Sequence, residues 1–292
     1  MSAPMKHGIL VGVDGSPSAI AAVDWAARDA VLRGLPLTLV HILAPPVVMT
    51  FPETPMPPGY TEWQREQGEL HLREALKITE AYTGASGPLR VDAETVVGST
   101  VPMLVEMSGE ATAVVVGCRG HGRLRRSLLG SVSSSLVRHA HCPVTVIHEE
   151  GLLPATAPVV VGIDGSPVSE AATALAFEEA SLRGVGLVAV YAWHDAGFFD
   201  FPGIDAAAMQ ADGELVLAER LAGWQERYPD VAVRRLAVCD RPADQLIEQS
   251  QSAQLVVVGS HGRGGFTGML LGSVSLAVVQ SAHAPVTVVR GL

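Results

Sequence analysis

Short runs of β-branched, almost wholly apolar residues alternate along this chain with longer stretches in which apolar side chains recur every three or four positions. The first run, "GILVGVD" (8–14), ends at Gly15; Ser16-Pro17 then reads as a helix N-cap with proline at the first helical position, opening an alanine-rich helix that closes at Gly34. "LTLVHIL" (37–43) predicts a second strand. A proline-rich connection, 44–60, precedes a helix over "WQREQGELHLREALKITEAY" (63–82). "RVDAETVV" (90–97) predicts strand three, "PMLVEMSGEA" (102–111) a helix, "AVVVG" (113–117) strand four, "SVSSSLVRHA" (131–140) a helix and "PVTVIHE" (143–149) strand five. Strands that are mostly apolar on both faces and separated by helices predict a parallel sheet covered on both sides.

The same order then recurs. "ILVGVDGSPSAIAAVDWAARDAVLRGLPLTLVHIL" (9–43) matches "VVVGIDGSPVSEAATALAFEEASLRGVGLVAVYAW" (159–193), which makes Asp164 the counterpart of Asp14, and "HCPVTVIHE" matches "HAPVTVVRG" near each copy's end. The chain is a tandem duplication, expected to fold as two doubly wound, open parallel-sheet α/β domains over residues 1–150 and 151–292, with "EEGLLPATAP" (149–158) as the linker.

Composition narrows the function. Twenty basic against 30 acidic residues give a net charge of −10, which disfavours a general nucleic-acid binder, because such proteins need a basic face to displace phosphate counterions. The three cysteines have no CxxC spacing, no apolar run reaches the ~18 residues of a membrane span, and the start "MSAPMKHGILVGVD" lacks signal-peptide character. A cytoplasmic protein without membrane contact is expected. Neither Lys6 nor Lys77 stands in a GxxxxGK[ST] arrangement, so a Walker-type site is excluded.

The candidate chemistry lies where strands end. In open α/β sheets, ligands collect at the carboxyl ends of the strands where strand order reverses. Asp14 and Asp164, behind Gly12 and Gly162, end the first strand of each copy. Gly117-x2-Gly120-x9-Gly130-Ser131-Val132 and Gly259-x2-Gly262-x9-Gly272-Ser273-Val274 follow the fourth strands. Glycines let backbone N–H groups approach a ligand and tolerate positive φ, and Gly-Ser then opens a helix whose unsatisfied N–H groups favour an anion. With no lysine at hand, N–H groups, the serine hydroxyl, a bound cation or arginines must balance phosphate charge. A carboxylate repels phosphate, so Asp14 is expected to accept from ribose or base, with the strand-two backbone at Val40 and His41 lining the base pocket. A nucleotide site in each copy is the expectation.

Three other features are weaker. The loop carries Arg119, Arg123, Arg125 and Arg126 in the first copy but His261 and Arg263 in "HGRGGFTGM" of the second, so the two sites are expected to differ in affinity, whether those arginines grip phosphate or are merely solvated. His139, His141 and Cys142 invite a metal reading, but their counterparts are Ser281, His283 and Ala284, and histidines at a helix C-terminus complement its dipole; any metal ligands stay unknown. Cys118 matches Ser260 and has no resolving cysteine nearby.

"VGVDGSP", the spaced glycines and "CPVTVI" resemble the universal stress protein family, in its tandem-domain, mycobacterial-type, ATP-binding form, over nearly the whole chain. The resemblance implies strand order 3-2-1-4-5, one ATP per domain with Mg2+, and a regulator of growth or survival under stress that pairs its domains within the chain or forms homodimers and acts through a regulatory partner. On the same basis Asp14 and Asp164 are nucleoside-side ligands, Val40 and Val190 meet adenine through backbone, and Gly117, Gly120, Gly130 and Ser131, with Gly259, Gly262, Gly272 and Ser273, hold phosphates. The alternative is an ATP-dependent or ATP-hydrolysing enzyme of the same α/β class. No SGGxDS loop, no HIGH-type signature and no general base beyond the aspartates and scattered histidines is present, so at most a slow ATPase is expected.

Overall fold

The computed structural model describes residues 7–45, 58–82, 89–120, 129–148, 154–193, 206–262 and 271–291. The chain divides into two compact units, Met1–Glu149 and Glu150–Leu292. The first contains β1 (Gly8–Gly12), α1 (Pro17–Arg33), β2 (Leu37–Leu43), α2 (Tyr60–Glu80), β3 (Val91–Val97), α3 (Thr100–Ser108), β4 (Ala111–Gly117), α4 (Ser131–His139) and β5 (Val144–Ile147). The second contains β6 (Val159–Gly162), α5 (Pro167–Arg183), β7 (Leu187–Trp193), α6 (Ala206–Leu221), α7 (Trp224–Arg227), β8 (Val233–Cys239), α8 (Pro242–Ser250), β9 (Leu255–Gly259), α9 (Ser273–Ser281) and β10 (Val286–Val289).

Within the first unit the strands run parallel in the order β3-β2-β1-β4-β5, and within the second β8-β7-β6-β9-β10. Each unit is therefore the doubly wound α/β sheet expected from the sequence, with strand order 3-2-1-4-5. The central strands are apolar on both faces because helices cover both; Ile9, Leu10, Val11, Val114 and Val115 have no exposed surface. The edge strands β3 and β8 are mostly half-buried or exposed, with Ala237 of β8 the buried exception.

The caps of the first helix in each unit follow the local chemistry. Ser16 Oγ accepts from Ala19 N–H at 3.2 Å and Ser166 Oγ from Ser169 N–H at 3.2 Å, each just before a proline. Gly34 and Gly184 both close their helix at φ 64°, a left-handed conformation that glycine adopts without strain. Each of these helices also buries an ion pair one turn apart, Asp29–Arg33 and Glu179–Arg183, both at 3.0 Å. Helix α3 begins at Thr100, two residues ahead of the expected Pro102, because a proline in the first turn gives up an N–H that has no intrahelical acceptor.

The histidine segments are tethers. His141 N–H donates to Ser108 Oγ and His283 N–H to Ser250 Oγ, both at 2.9 Å, tying the chain after α4 and α9 to the ends of α3 and α8. Among the described residues no group of three His, Cys, Asp or Glu side chains could hold a metal ion, and no helix is long and apolar enough to cross a membrane.

Cys118 and Cys142 are buried and Cys239 is exposed. Burial pushes the Cys142 thiol up from 9.0 to about 12. Iodoacetamide at neutral pH should therefore label Cys239 in the native protein and reach Cys118 and Cys142 only after unfolding, as read by peptide mass mapping. The sign for stability follows. Below 9.0 the Cys142 thiol is protonated in both states; between 9.0 and about 12 only the unfolded chain releases the proton, so this group should lower native stability as pH rises through that window.

Candidate nucleotide site

Strand order reverses between β1 and β4, which are hydrogen-bonded neighbours whose connections leave in opposite directions, and a crevice opens at their carboxyl ends. A cavity of about 570 Å3 lies there. All eight residues expected at the first site, Gly12, Asp14, Val40, Gly117, Gly120, Gly130, Ser131 and Val132, line it. Its volume falls inside the usual range for small-molecule sites, and its walls are mostly apolar.

Asp14 is fixed by local geometry. Its Oδ1 accepts from Ser16 N–H at 2.9 Å, an Asx turn leading into the N-cap of α1. Its Oδ2 meets the glycine loop instead of standing apart from it: a Cβ placed on Gly120 would come within 2.5 Å of Asp14 Oδ2. The carboxylate and the glycine loop therefore share one crevice, with the turn holding the carboxylate against the loop.

The glycines serve close approach. None of Gly117, Gly120, Gly130, Gly259, Gly262 and Gly272 has positive φ; that conformation falls on Gly15 and Gly165, at 80° and 77°, in the turns after the aspartates. A Cβ on Gly117 would lie 2.7 Å from the carbonyl carbon of Ser18. This contact lets the first turn of α1 rest on the end of β4. From there Ser18 Oγ donates to the carbonyl of Arg119, and Ser16 Oγ to the same oxygen at 3.3 Å. Gly130 N–H donates to Cys118 O at 2.8 Å, closing the loop at its base, and Ser133 Oγ reaches that carbonyl at 3.0 Å.

Gly130 is the N-cap of α4 and gives no side-chain cap, so the free N–H groups of the helix's first turn, at Ser131 and Val132, belong to the cavity wall. Arg119 adds a cation to the same wall. Val40 pairs with Gly12, and its carbonyl already accepts from Val13 N–H at 2.8 Å. His41 is oriented by a 2.7 Å hydrogen bond between its Nδ1 and Val13 O. Arg123, Arg125, Arg126 and Arg263 lie outside the described residues, as do residues 46–57 of the proline-rich connection and 197–205 of its counterpart.

Thr100 and Leu104 also line the cavity. Nothing in the sequence marks them: α3 follows the edge strand β3, and its arrival beside β1 and β2 is decided by the crossover alone.

The second unit repeats the frame. Asp164 Oδ1 accepts from Ser166 N–H at 2.9 Å, and a Cβ on Gly262 would collide with Asp164 Oδ2. A Cβ on Gly259 would lie 3.2 Å from the Val168 carbonyl carbon in the first turn of α5. Gly272 N–H closes the loop on Ser260 O at 2.7 Å, and Gly272 caps α9, whose first residues are Ser273 and Val274. Gly162 pairs with Val190, whose carbonyl accepts from Ile163 N–H at 2.8 Å. Ser166 Oγ contacts His261 O at 3.5 Å, a longer tether than in the first unit.

The model of the universal stress protein family matches residues 5–148 and again 156–290. This chain belongs to the universal stress protein family. Two universal stress proteins of Mycobacterium tuberculosis are each 56% identical to it, one over 99% of both chains, the other over 97% of this chain and 96% of its own. A crystal structure of a universal stress protein from Archaeoglobus fulgidus shares the fold, with TM-score 0.70 at 20% identity, covering 97% of this chain and 96% of that one. The family's domain thus occurs twice in this universal stress protein, and the repeated glycines fall at equivalent places in both copies.

The two kinds of loop glycine should separate experimentally. Gly117→Ala should destabilise the first domain by roughly 2 kcal/mol or more, since its Cβ meets helix backbone that cannot yield cheaply. Gly130→Ala places its Cβ 3.3 Å from Cys118 O and should leave the melting temperature within a few degrees of wild type. Differential scanning calorimetry of the two variants tests the distinction.

Proposed function

We propose that this universal stress protein binds one adenine nucleotide, ATP, in each domain, within residues 1–150 and 151–292, and works in the cytoplasm as a nucleotide-dependent regulator of growth or survival under stress. The observation that carries the proposal is the convergence of Asp14, the glycine loop and the uncapped start of α4 on one cavity at the strand-order reversal. In this reading the first-turn N–H groups of α4 and the Ser131 hydroxyl take the phosphates, with Arg119 supplying positive charge. Apolar side chains at Val40 and Leu104 face the base, and Thr100 offers it a hydroxyl. In the second domain Gly259, Gly262, Gly272, Ser273 and Val274 take phosphate roles, and Gly162, Asp164 and Val190 line the nucleoside end.

The carboxylate is the residue whose task depends on the ligand. Beside Gly120, Asp14 is poorly placed for bare phosphate, and its natural partners are ribose hydroxyls or a cation that accompanies the triphosphate. Mg2+ fits the second role: it accepts one or two carboxylates and keeps phosphate oxygens and waters for the rest of its shell. The chain's own part is then to hold the nucleotide still and shield it, and no step of hydrolysis is required for a binding module.

Denaturing the purified protein and chromatographing the supernatant should release adenine nucleotide, or the stripped protein should bind added ATP to near two equivalents. Added ATP should persist over hours. Absence of any bound or bindable adenine nucleotide would overturn the proposal, and many turnovers per second would make the protein an enzyme instead.

Mutants should divide the two sites. Gly120→Val with Gly262→Val should abolish ATP binding while circular dichroism stays that of an α/β protein, because each new side chain displaces a site carboxylate and fills the cradle. Asp14→Ala alone should weaken binding in the first domain and leave the second unchanged, as read by two-site calorimetry.

A further inference from the structure

We propose that Arg290 is the cationic phosphate ligand of the second domain's site, taking there the part that Arg119 takes in the first. The inference rests on the nucleotide reading above and identifies where the second site finds its charge.

Arg290 follows β10 directly, and its position is set by register. Val289 pairs with Gly259, and Ser260 N–H donates to Val289 O at 2.7 Å, so Arg290 leaves the sheet alongside Ser260–Gly262, the beginning of the glycine loop. The next residue closes on the same place: a Cβ on Gly291 would lie 3.0 Å from Val168 Cγ2, and one on Gly259 lies 3.1 Å from Val168 Cγ1. Arg290 is thus held at the carboxyl end of the strands, where the loop and the first turn of α5 meet.

One end of its guanidinium has no acceptor. Arg290 Nη1 is shielded from solvent and makes no hydrogen bond, and among the described residues the side chain joins no ion pair. Other arginines of this acidic chain are matched to carboxylates, among them Arg33, Arg183, Arg28 and Arg220. A shielded cationic donor without an acceptor is costly, and an anion at the loop would remove that cost. Burial already pulls this guanidinium below the usual arginine range, with no counter-charge to restore it.

The two copies exchange their charges at these positions. The first domain has Arg119 in the loop and His148 after its last strand; the second has His261 in the loop and Arg290 after its last strand. His261 turns its Nδ1 to Ser260 Oγ at 2.9 Å. Among the described residues, each pair of equivalent positions thus supplies one arginine, Arg119 after β4 in the first domain and Arg290 after β10 in the second. Arginine suits the task, since its fork donates to two phosphate oxygens at once.

The test uses the full chain, with 8-azido-ATP photolabelling and peptide mapping to read each domain separately. Arg290→Gln should raise the half-saturating concentration for labelling in residues 151–292 by about tenfold or more and leave labelling in residues 7–148 unchanged. Competition by adenosine should be unaffected, because it carries no phosphate, and Arg290→Lys should recover part of the loss. Arg119→Gln should give the mirror result. Unchanged labelling in Arg290→Gln, or an equal loss of adenosine competition, would overturn the proposal. If wild type takes no label in residues 151–292, the nucleotide reading fails for that domain, and calorimetry with inorganic tripolyphosphate decides the arginine's role. Binding that Arg290→Gln removes supports an anion site, and no difference between the two proteins overturns it.

Discussion

The contact on which the site depends is a helix resting its first turn on the end of a neighbouring strand. Gly117 has no Cβ, so the backbone of Ser18 can sit within a distance that a side chain would forbid, and Gly259 lets Val168 approach nearly as closely. Once that approach is made, the Ser16 and Ser18 hydroxyls reach the Arg119 carbonyl and draw the glycine loop towards the turn that carries Asp14. Cavity, carboxylate and helix N-terminus are therefore one assembly, and each part is placed by the contact before it.

The two domains show how much of this assembly is frame and how much is variable. The Asx turn, the N-capping serine, the left-handed closing glycine and the loop closure onto the residue after strand four recur with nearly the same distances. Buried ion pairs also recur in α1 and α5 although one acid is Asp29 and the other Glu179. What varies is charge and bulk at equivalent positions: Arg119 against His261, His148 against Arg290, Thr100 against Pro242.

Much of the fold was legible from local pattern. Apolar runs, the Ser-Pro helix starts, the closing glycines and the internal repeat sufficed for two doubly wound α/β domains. The site was legible to the extent that its chemistry is local, as at Asp14 and at the Gly-Ser opening of α4. Other points were not. At the described glycines Gly117, Gly120, Gly130, Gly259, Gly262 and Gly272 the positive φ expected of such loops is absent, and Gly15 and Gly165 take that conformation in the turns after the aspartates. Asp14 lies against Gly120, which spacing along the chain could not show.

By itself, then, the sequence determined the alternation of elements, the duplication, the absence of a lysine-bearing phosphate loop and the residue types at the strand ends, since each of these is written in neighbouring residues. Tertiary structure alone decided which distant segments meet. Thr100 and Leu104 enter the cavity through the crossover from β3. Gly117 serves α1 as well as the loop, and Arg290 stands beside Gly259 because β9 and β10 pair in one register. Strand neighbours and register are set by the burial of whole faces against helices, a property of the packed domain that no short stretch of chain contains.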